Sequence, residues 1–81
     1  MPAFTMYSTP WCGYCHRLAR QLDREGVEYA KVDIEREPAA ADLVRSVNSG
    51  NATVPTLVFE DGSAMTNPSV AQVLAKIEQA A

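Results

Sequence analysis

Along the chain the hydrophobic pattern changes period repeatedly, and turn-forming residues fall where it changes. Ala3 to Ser8 is a mostly apolar run of strand length that leads directly into Thr9-Pro10-Trp11-Cys12-Gly13-Tyr14-Cys15-His16. From about Cys12 to Glu25 the spacing is helical, with Cys15, Leu18, Ala19 and Leu22 on one face, and Gly26 supplies a left-handed stop. Tyr29 to Ile34 alternates: Ala30, Val32 and Ile34 share one face and Tyr29, Lys31 and Asp33 the other, which predicts a partly exposed edge strand. Pro38 suits the first turn of a second helix, whose Ala40, Leu43, Val44 and Val47 form an inward stripe that stops near Gly50. Thr56 to Phe59, the turn at Asp61-Gly62 and Ala64 to Thr66 predict a β-hairpin. Asn67 as N-cap and Pro68 at the first helical position then open a last helix that buries Val70, Val73, Leu74 and Ile77.

The element order is therefore β-α-β-α-β-β-α. A β-α-β unit closes by a right-handed crossover with its strands parallel, and a hairpin pairs its strands antiparallel. Apolar strands belong in the middle of a sheet and alternating or short ones at its margins. These constraints predict an α/β fold: a four-stranded mixed sheet in the order 2-1-3-4 flanked by three helices. No repeat, low-complexity tract or linker interrupts the pattern, so the 81 residues read as one domain, 1–81, with a modest core.

Composition narrows the partners. Hydrophobic residues make up 47% and charged residues 21% of the chain, the balance of a soluble globular protein. With a net charge of −3 and Lys and Arg scattered, no basic stripe exists for nucleic acid or for anionic lipid. No apolar run approaches the roughly 18 residues that a membrane span needs. Arg17 is the first positive charge, so the start of the chain lacks the basic region of a secretory signal. The expectation is a cytoplasmic monomer that binds neither nucleic acid nor membrane. A structural disulfide is out of place in that compartment, and a bond from Cys12 to Cys15 closes too short a loop to constrain the unfolded chain. These thiols are expected to react rather than to brace.

Cys12 and Cys15 are the only cysteines, at the spacing of a redox-active dithiol. On a helix that begins at Cys12, Cys15 shares the buried stripe, so Cys15 is expected to be the buried thiol and Cys12 the exposed one. Cys12 at the helix start meets free backbone N–H groups and the positive end of the dipole, which favour the thiolate. The thiolate is the attacking species in disulfide exchange, which makes Cys12 the nucleophile and Cys15 the resolving residue. A structural zinc site takes four ligands, and two Cys with the adjacent His16 do not supply them, so no metal is expected. His16 falls on the solvent side of the helix. Trp11 and Tyr14 admit two readings, a rim that docks substrate or packing over a small core. Arg17 and Arg20 either attract a carboxylate of a thiol substrate or form a solvated face. In Thr53-Val54-Pro55, the proline either simply starts a strand or leaves the Val54 backbone free to pair with an extended ligand. The Asn67-Pro68-Ser69-Val70 segment reads mainly as a helix cap, and a helix start also accepts a carboxylate.

Taken together, Trp11-Cys12-Gly13-Tyr14-Cys15, Thr53-Val54-Pro55-Thr56, Asp61-Gly62-Ser63, Thr66-Asn67-Pro68 and Ser46-Val47-Asn48-Ser49-Gly50-Asn51 give a resemblance to the glutaredoxin branch of the thioredoxin fold over nearly the whole length. Within that branch the chain most resembles the mycoredoxins. The resemblance implies a cis Pro55 facing the active site, and substrate contacts from Trp11, Gly13, Tyr14, Thr53, Val54, Pro55, Thr66, Asn67, Pro68 and Ser69. It implies an oxidoreductase with a redox-active Cys12–Cys15 disulfide and no bound cofactor, which reduces mixed disulfides between mycothiol and proteins or small thiols. Its partners would be a low-molecular-weight thiol, protein mixed disulfides and a thiol–disulfide reductase. Glutathione-dependent glutaredoxins have Cys-Pro-Tyr-Cys and a Gly-Gly segment before the last helix; here Gly13 and Thr66-Asn67-Pro68 stand in those places. Glutathione dependence, or a general thioredoxin-like reductant, is the alternative. A further one is an iron–sulfur cluster carrier, in which two subunits hold the cluster with external thiols.

Overall fold

The computed structural model describes residues 2–80. Its elements are β1 (Phe4–Ser8), α1 (Gly13–Arg24), β2 (Ala30–Asp33), α2 (Pro38–Val47), β3 (Thr56–Phe59), β4 (Ala64–Thr66) and α3 (Val70–Ala80). The sheet order is β2-β1-β3-β4, with β1 parallel to β2 and antiparallel to β3, and β3 antiparallel to β4. This is the expected 2-1-3-4 mixed sheet.

Alternation along β1 sends Phe4 and Met6 to one face and Tyr7 to the other, and two unequal cores follow. On the first face Phe4, Met6, Leu57 and Phe59 pack under Leu18, Ala19 and Leu22 of α1 and Val73 of α3. Tyr29 closes the margin of this core, its ring stacked on Phe4 at 5.3 Å between centroids. On the second face α2 contributes Ala41 and Val44, which meet Ile34, Tyr7 and Val54. The structure corrects the stripe expected for α2: Leu43 and Val47 are 38% and 39% exposed, and the buried line runs through Ala41 and Val44. The helix is turned so that half-buried Asn48, just past its end, bonds Thr56 of the sheet at 3.0 Å. Periodicity gives the width of an apolar stripe but not which flank meets a narrow face.

A second correction concerns the start of α3. Asn67 is not its N-cap, and Pro68 is not its first residue. Asn67 adopts a left-handed conformation, φ 46°, and Pro68 is buried ahead of the helix. Ser69 and Gln72 form a reciprocal capping box instead. The Gln72 N–H donates to Ser69 Oγ at 3.1 Å, and the Ser69 N–H donates to Gln72 Oε1 at 2.8 Å. Gly26 does act as the expected stop of α1, at φ 71°, with its N–H on Asp23 O and the Val27 N–H on Leu22 O. No helix among the described residues is long and apolar enough to cross a membrane.

Candidate active site

Strand β1 ends at Ser8, and Thr9-Pro10-Trp11 carries the chain over the sheet end to Cys12. Cys12 is the N-cap of α1, with extended backbone angles of φ −82° and ψ 107°. Its sulfur accepts the Cys15 backbone N–H at 3.1 Å, filling the place that a Ser or Asp oxygen takes in most N-caps. The two sulfurs are joined as a disulfide, with Cα atoms 5.2 Å apart.

The expected contrast in exposure is corrected here. Cys12 is 6% exposed and Cys15 3%, so both are buried. Cys12 is covered from the far end of the sequence: Val54 O lies 3.9 Å from its sulfur. Helical phase has no information about a segment that arrives from elsewhere in the fold. What separates the sulfurs is their setting. Cys12 stands at the end of the helix, and Cys15 lies against a cavity of about 210 Å³ bordered by Met6, Ser8, Thr9, Lys31 and Asp33.

The remaining residues fall into three groups. Trp11 and Tyr14 stand out in solvent at 71% and 66% exposure, so they do not pack over the core. Trp11 Nε1 donates to Glu35 Oε2 at 3.1 Å, which ties the exposed indole to the segment after β2. Gly13 is exposed, and a Cβ there would meet nothing within 4 Å. His16 is exposed as expected, with Nε2 at 2.6 Å from Pro10 O; a carbonyl only accepts, so this nitrogen is the donor.

The second group is the segment before β3. The Val54–Pro55 peptide bond is cis; Thr53 is exposed, Val54 half-buried and Pro55 buried. Among the described residues the Val54 N–H has no acceptor. The third group is the β4–α3 connection, where Thr66, Asn67 and Ser69 are exposed. The two segments meet, because the Asn67 N–H donates to Pro55 O at 2.8 Å. Between this connection and α1 runs a groove of about 350 Å³ lined by Tyr14, Arg17, Gln21, Asn67, Pro68 and Ser69. Arg17 borders it; Arg20 is exposed and does not.

Thr9, Asn48 and Thr56, unlike Thr66, were not singled out from the sequence as site residues. Thr9 Oγ1 is buried with no hydrogen-bond partner among the described residues, beside the cavity at Cys15. Asn48, Thr56 and Thr66 join through their side chains, linking α2, β3 and β4. Polar contacts between elements leave no periodic trace; the Asn48 segment stood out only through the resemblance.

The model of the glutaredoxin family matches residues 4–63, which includes both cysteines and the Thr53–Pro55 segment. The chain belongs to the glutaredoxin family. A glutaredoxin of Mycobacterium tuberculosis is 55% identical to it over 75 residues, covering 93% of this chain and 89% of that protein. Mycoredoxin 1 of Corynebacterium glutamicum is 46% identical over 78 residues, 96% of each chain. Among solved structures, a glutaredoxin from Archaeoglobus fulgidus superposes with a TM-score of 0.74 at 26% identity, covering 93% of this chain and 85% of that one. This glutaredoxin is thus a thiol–disulfide oxidoreductase. As in its family, a low-molecular-weight thiol serves as co-substrate, and protein disulfides are the partners.

Proposed function

We propose that the protein reduces mixed disulfides that join mycothiol to proteins or to small thiols, with the Cys12 thiolate as nucleophile. One observation carries the choice of nucleophile: the Cys12 sulfur sits at the start of α1 and accepts the Cys15 N–H. That donor and the positive end of the helix both favour thiolate over thiol. Cys15 lies one turn in, on the buried stripe.

In the first step the Cys12 thiolate attacks the mycothiol sulfur of the mixed disulfide. A bond forms between Cys12 and mycothiol, the old disulfide breaks, and the substrate leaves as a thiolate that takes a proton from water. A second mycothiol thiolate attacks the mycothiol sulfur held on Cys12, which yields mycothiol disulfide and returns the Cys12 thiolate. In the dithiol branch the Cys15 thiolate attacks Cys12 and expels mycothiol. The Cys12–Cys15 disulfide then forms, and mycothiol or a thiol–disulfide reductase reduces it.

Trp11 and Tyr14 supply the apolar rim on which the substrate docks, Gly13 leaves room at the helix start, and the main chain of Thr53, Val54 and Pro55 pairs with it through the free Val54 N–H. Thr66, Asn67, Pro68 and Ser69 select the thiol. Mycothiol carries its thiol on a neutral, hydroxyl-rich unit, whereas glutathione presents two carboxylates. Amide and hydroxyl groups of Gln21, Asn67 and Ser69 in the groove suit the former, and among the described residues Arg17 is the one cation there for a carboxylate. The near full-length similarity to Mycoredoxin 1 supports the same choice. The protein acts as one glutaredoxin-like domain, 1–81, a monomer in the cytoplasm. The test is turnover of one mixed-disulfide substrate with mycothiol, glutathione or a thioredoxin reductase as electron source. Mycothiol should be fastest; comparable rates with all three refute the specificity.

A further inference from the structure

The side-chain amide of Asn48 is fully committed. Its Nδ2 donates to Val44 O and to Thr56 Oγ1, each at 3.0 Å, and its Oδ1 accepts the Thr66 hydroxyl. The Thr56 hydroxyl donates in turn to Thr53 O at 2.7 Å. Donor and acceptor directions are therefore fixed along the chain Thr66, Asn48, Thr56, Thr53. Having given its only proton to Thr53 O, the Thr56 hydroxyl can only accept from Asn48, so the group at position 48 must be a donor there and an acceptor towards Thr66. Thr56 is fully buried, and water does not replace a missing partner at its hydroxyl.

The ends of this chain lie in Thr53–Pro55 and next to Asn67, the two segments assigned to the ligand. Asn48 itself touches neither sulfur. We propose that Asn48 is a positioning residue: it holds Thr53–Pro55 and Thr66–Ser69 at a fixed separation and so sets the affinity for the disulfide substrate. This inference rests on the assignment of those segments as ligand contacts. The donor to the Cys12 sulfur, the Cys15 N–H, is not part of this network.

Asn48→Asp is the sharp variant, because it keeps the shape and the acceptor for Thr66 and removes the donor for Thr56 and for Val44 O. Misplacing a contact by about 1 Å costs up to ~100-fold, so KM should rise about tenfold in Asn48→Asp while kcat changes less than about twofold. The substrate is the mixed disulfide of 2-mercaptoethanol with mycothiol, or with glutathione if only that turns over. Thr56→Val keeps the shape of a side chain outside the proposed ligand contacts, removes the hydroxyl that joins Asn48 to Thr53, and serves where Asn48→Asp does not fold; it should raise KM by about threefold. The pH dependence of Cys12 alkylation by iodoacetamide should stay as in the parent in both. Asn67→Gly, which removes a proposed contact without touching the network, separates the two ideas. If it raises KM and neither Asn48→Asp nor Thr56→Val does, the positioning role is overturned alone. If none raises KM, the contact assignment falls with it. A fall in kcat at constant KM also overturns the role.

Discussion

Replacing Cys15 by serine removes the second sulfur but leaves the group that stabilises the first. The N–H on the Cys12 sulfur, at 3.1 Å, belongs to the backbone of residue 15 and not to its side chain. Hydrogen bonds to a charged group contribute about 1.5–3 kcal/mol. With a factor of ten for each ~1.4 kcal/mol, this bond alone raises the thiolate-to-thiol ratio of Cys12 by roughly tenfold to a hundredfold. Cys15→Ser should keep nearly all of that, because serine occupies the same helical position and the helix start is unchanged. The assay is the rate of iodoacetamide alkylation of the reduced variant across pH, set beside the reduced parent alkylated at Cys12. The curves should overlay to within about threefold at neutral pH, and turnover of mycothiol mixed disulfides should persist by the monothiol route. Cys12→Ser should abolish turnover. A drop in alkylation of more than about tenfold in Cys15→Ser would mean that the Cys15 thiol, not its backbone, activates Cys12. Loss of all turnover in that variant would reject the monothiol route.

Gly13 is the first residue of α1, where proline is tolerated because the N–H has no intrahelical partner, and its Cβ position is open. Gly13→Pro should therefore fold and gain about 0.4–1 kcal/mol in urea unfolding of the oxidised protein, through a stiffer unfolded chain; a lower midpoint contradicts this. Asp61 accepts from the Ser63 hydroxyl at 2.6 Å, Lys76 Nζ at 2.9 Å and the Ser63 N–H at 2.9 Å, and these bonds hold its carboxyl well below the usual carboxylate range. A depressed folded-state value means stability that is present above the unfolded value, about 3.9, and lost as pH falls through the folded one. Asp61→Asn should thus lower the urea midpoint at neutral pH, with a deficit that shrinks by about pH 2; a deficit constant with pH removes the carboxylate as its cause.

The sheet was legible in the sequence because a period of two, a crossover and a hairpin turn leave few arrangements. The alternation at Tyr29–Ile34 and the hairpin around Asp61-Gly62 sufficed to give the order of β2-β1-β3-β4. The beginning of α3 was misplaced because Asn67-Pro68 and Ser69 with Gln72 are competing start signals. The reciprocal bonds of the second pair prevail, and the left-handed turn at Asn67 breaks the first. The position of Cys12 at the helix start followed from local spacing. Its burial did not, since Val54 lies 42 positions away. Likewise Asn48 lies eight and 18 positions from its two threonine partners, and no local pattern marks such pairs.

The antiparallel register of β1 on β3 reaches beyond packing. Phe4 faces Phe59, Met6 faces Leu57 and Tyr7 faces Thr56, so the cysteine segment leaves β1 at the same sheet end where Thr53–Pro55 enters β3. A slip of one residue would carry Val54 some 3.3 Å along Cys12 and turn Leu57 and Phe59 away from the core. The apolar side chains thus act as a ruler: the same pairing that excludes water from the core measures the gap between the proposed nucleophile and the segment proposed to hold the substrate. Stability and catalytic geometry share one set of residues, and a change that loosens the first also miscalibrates the second.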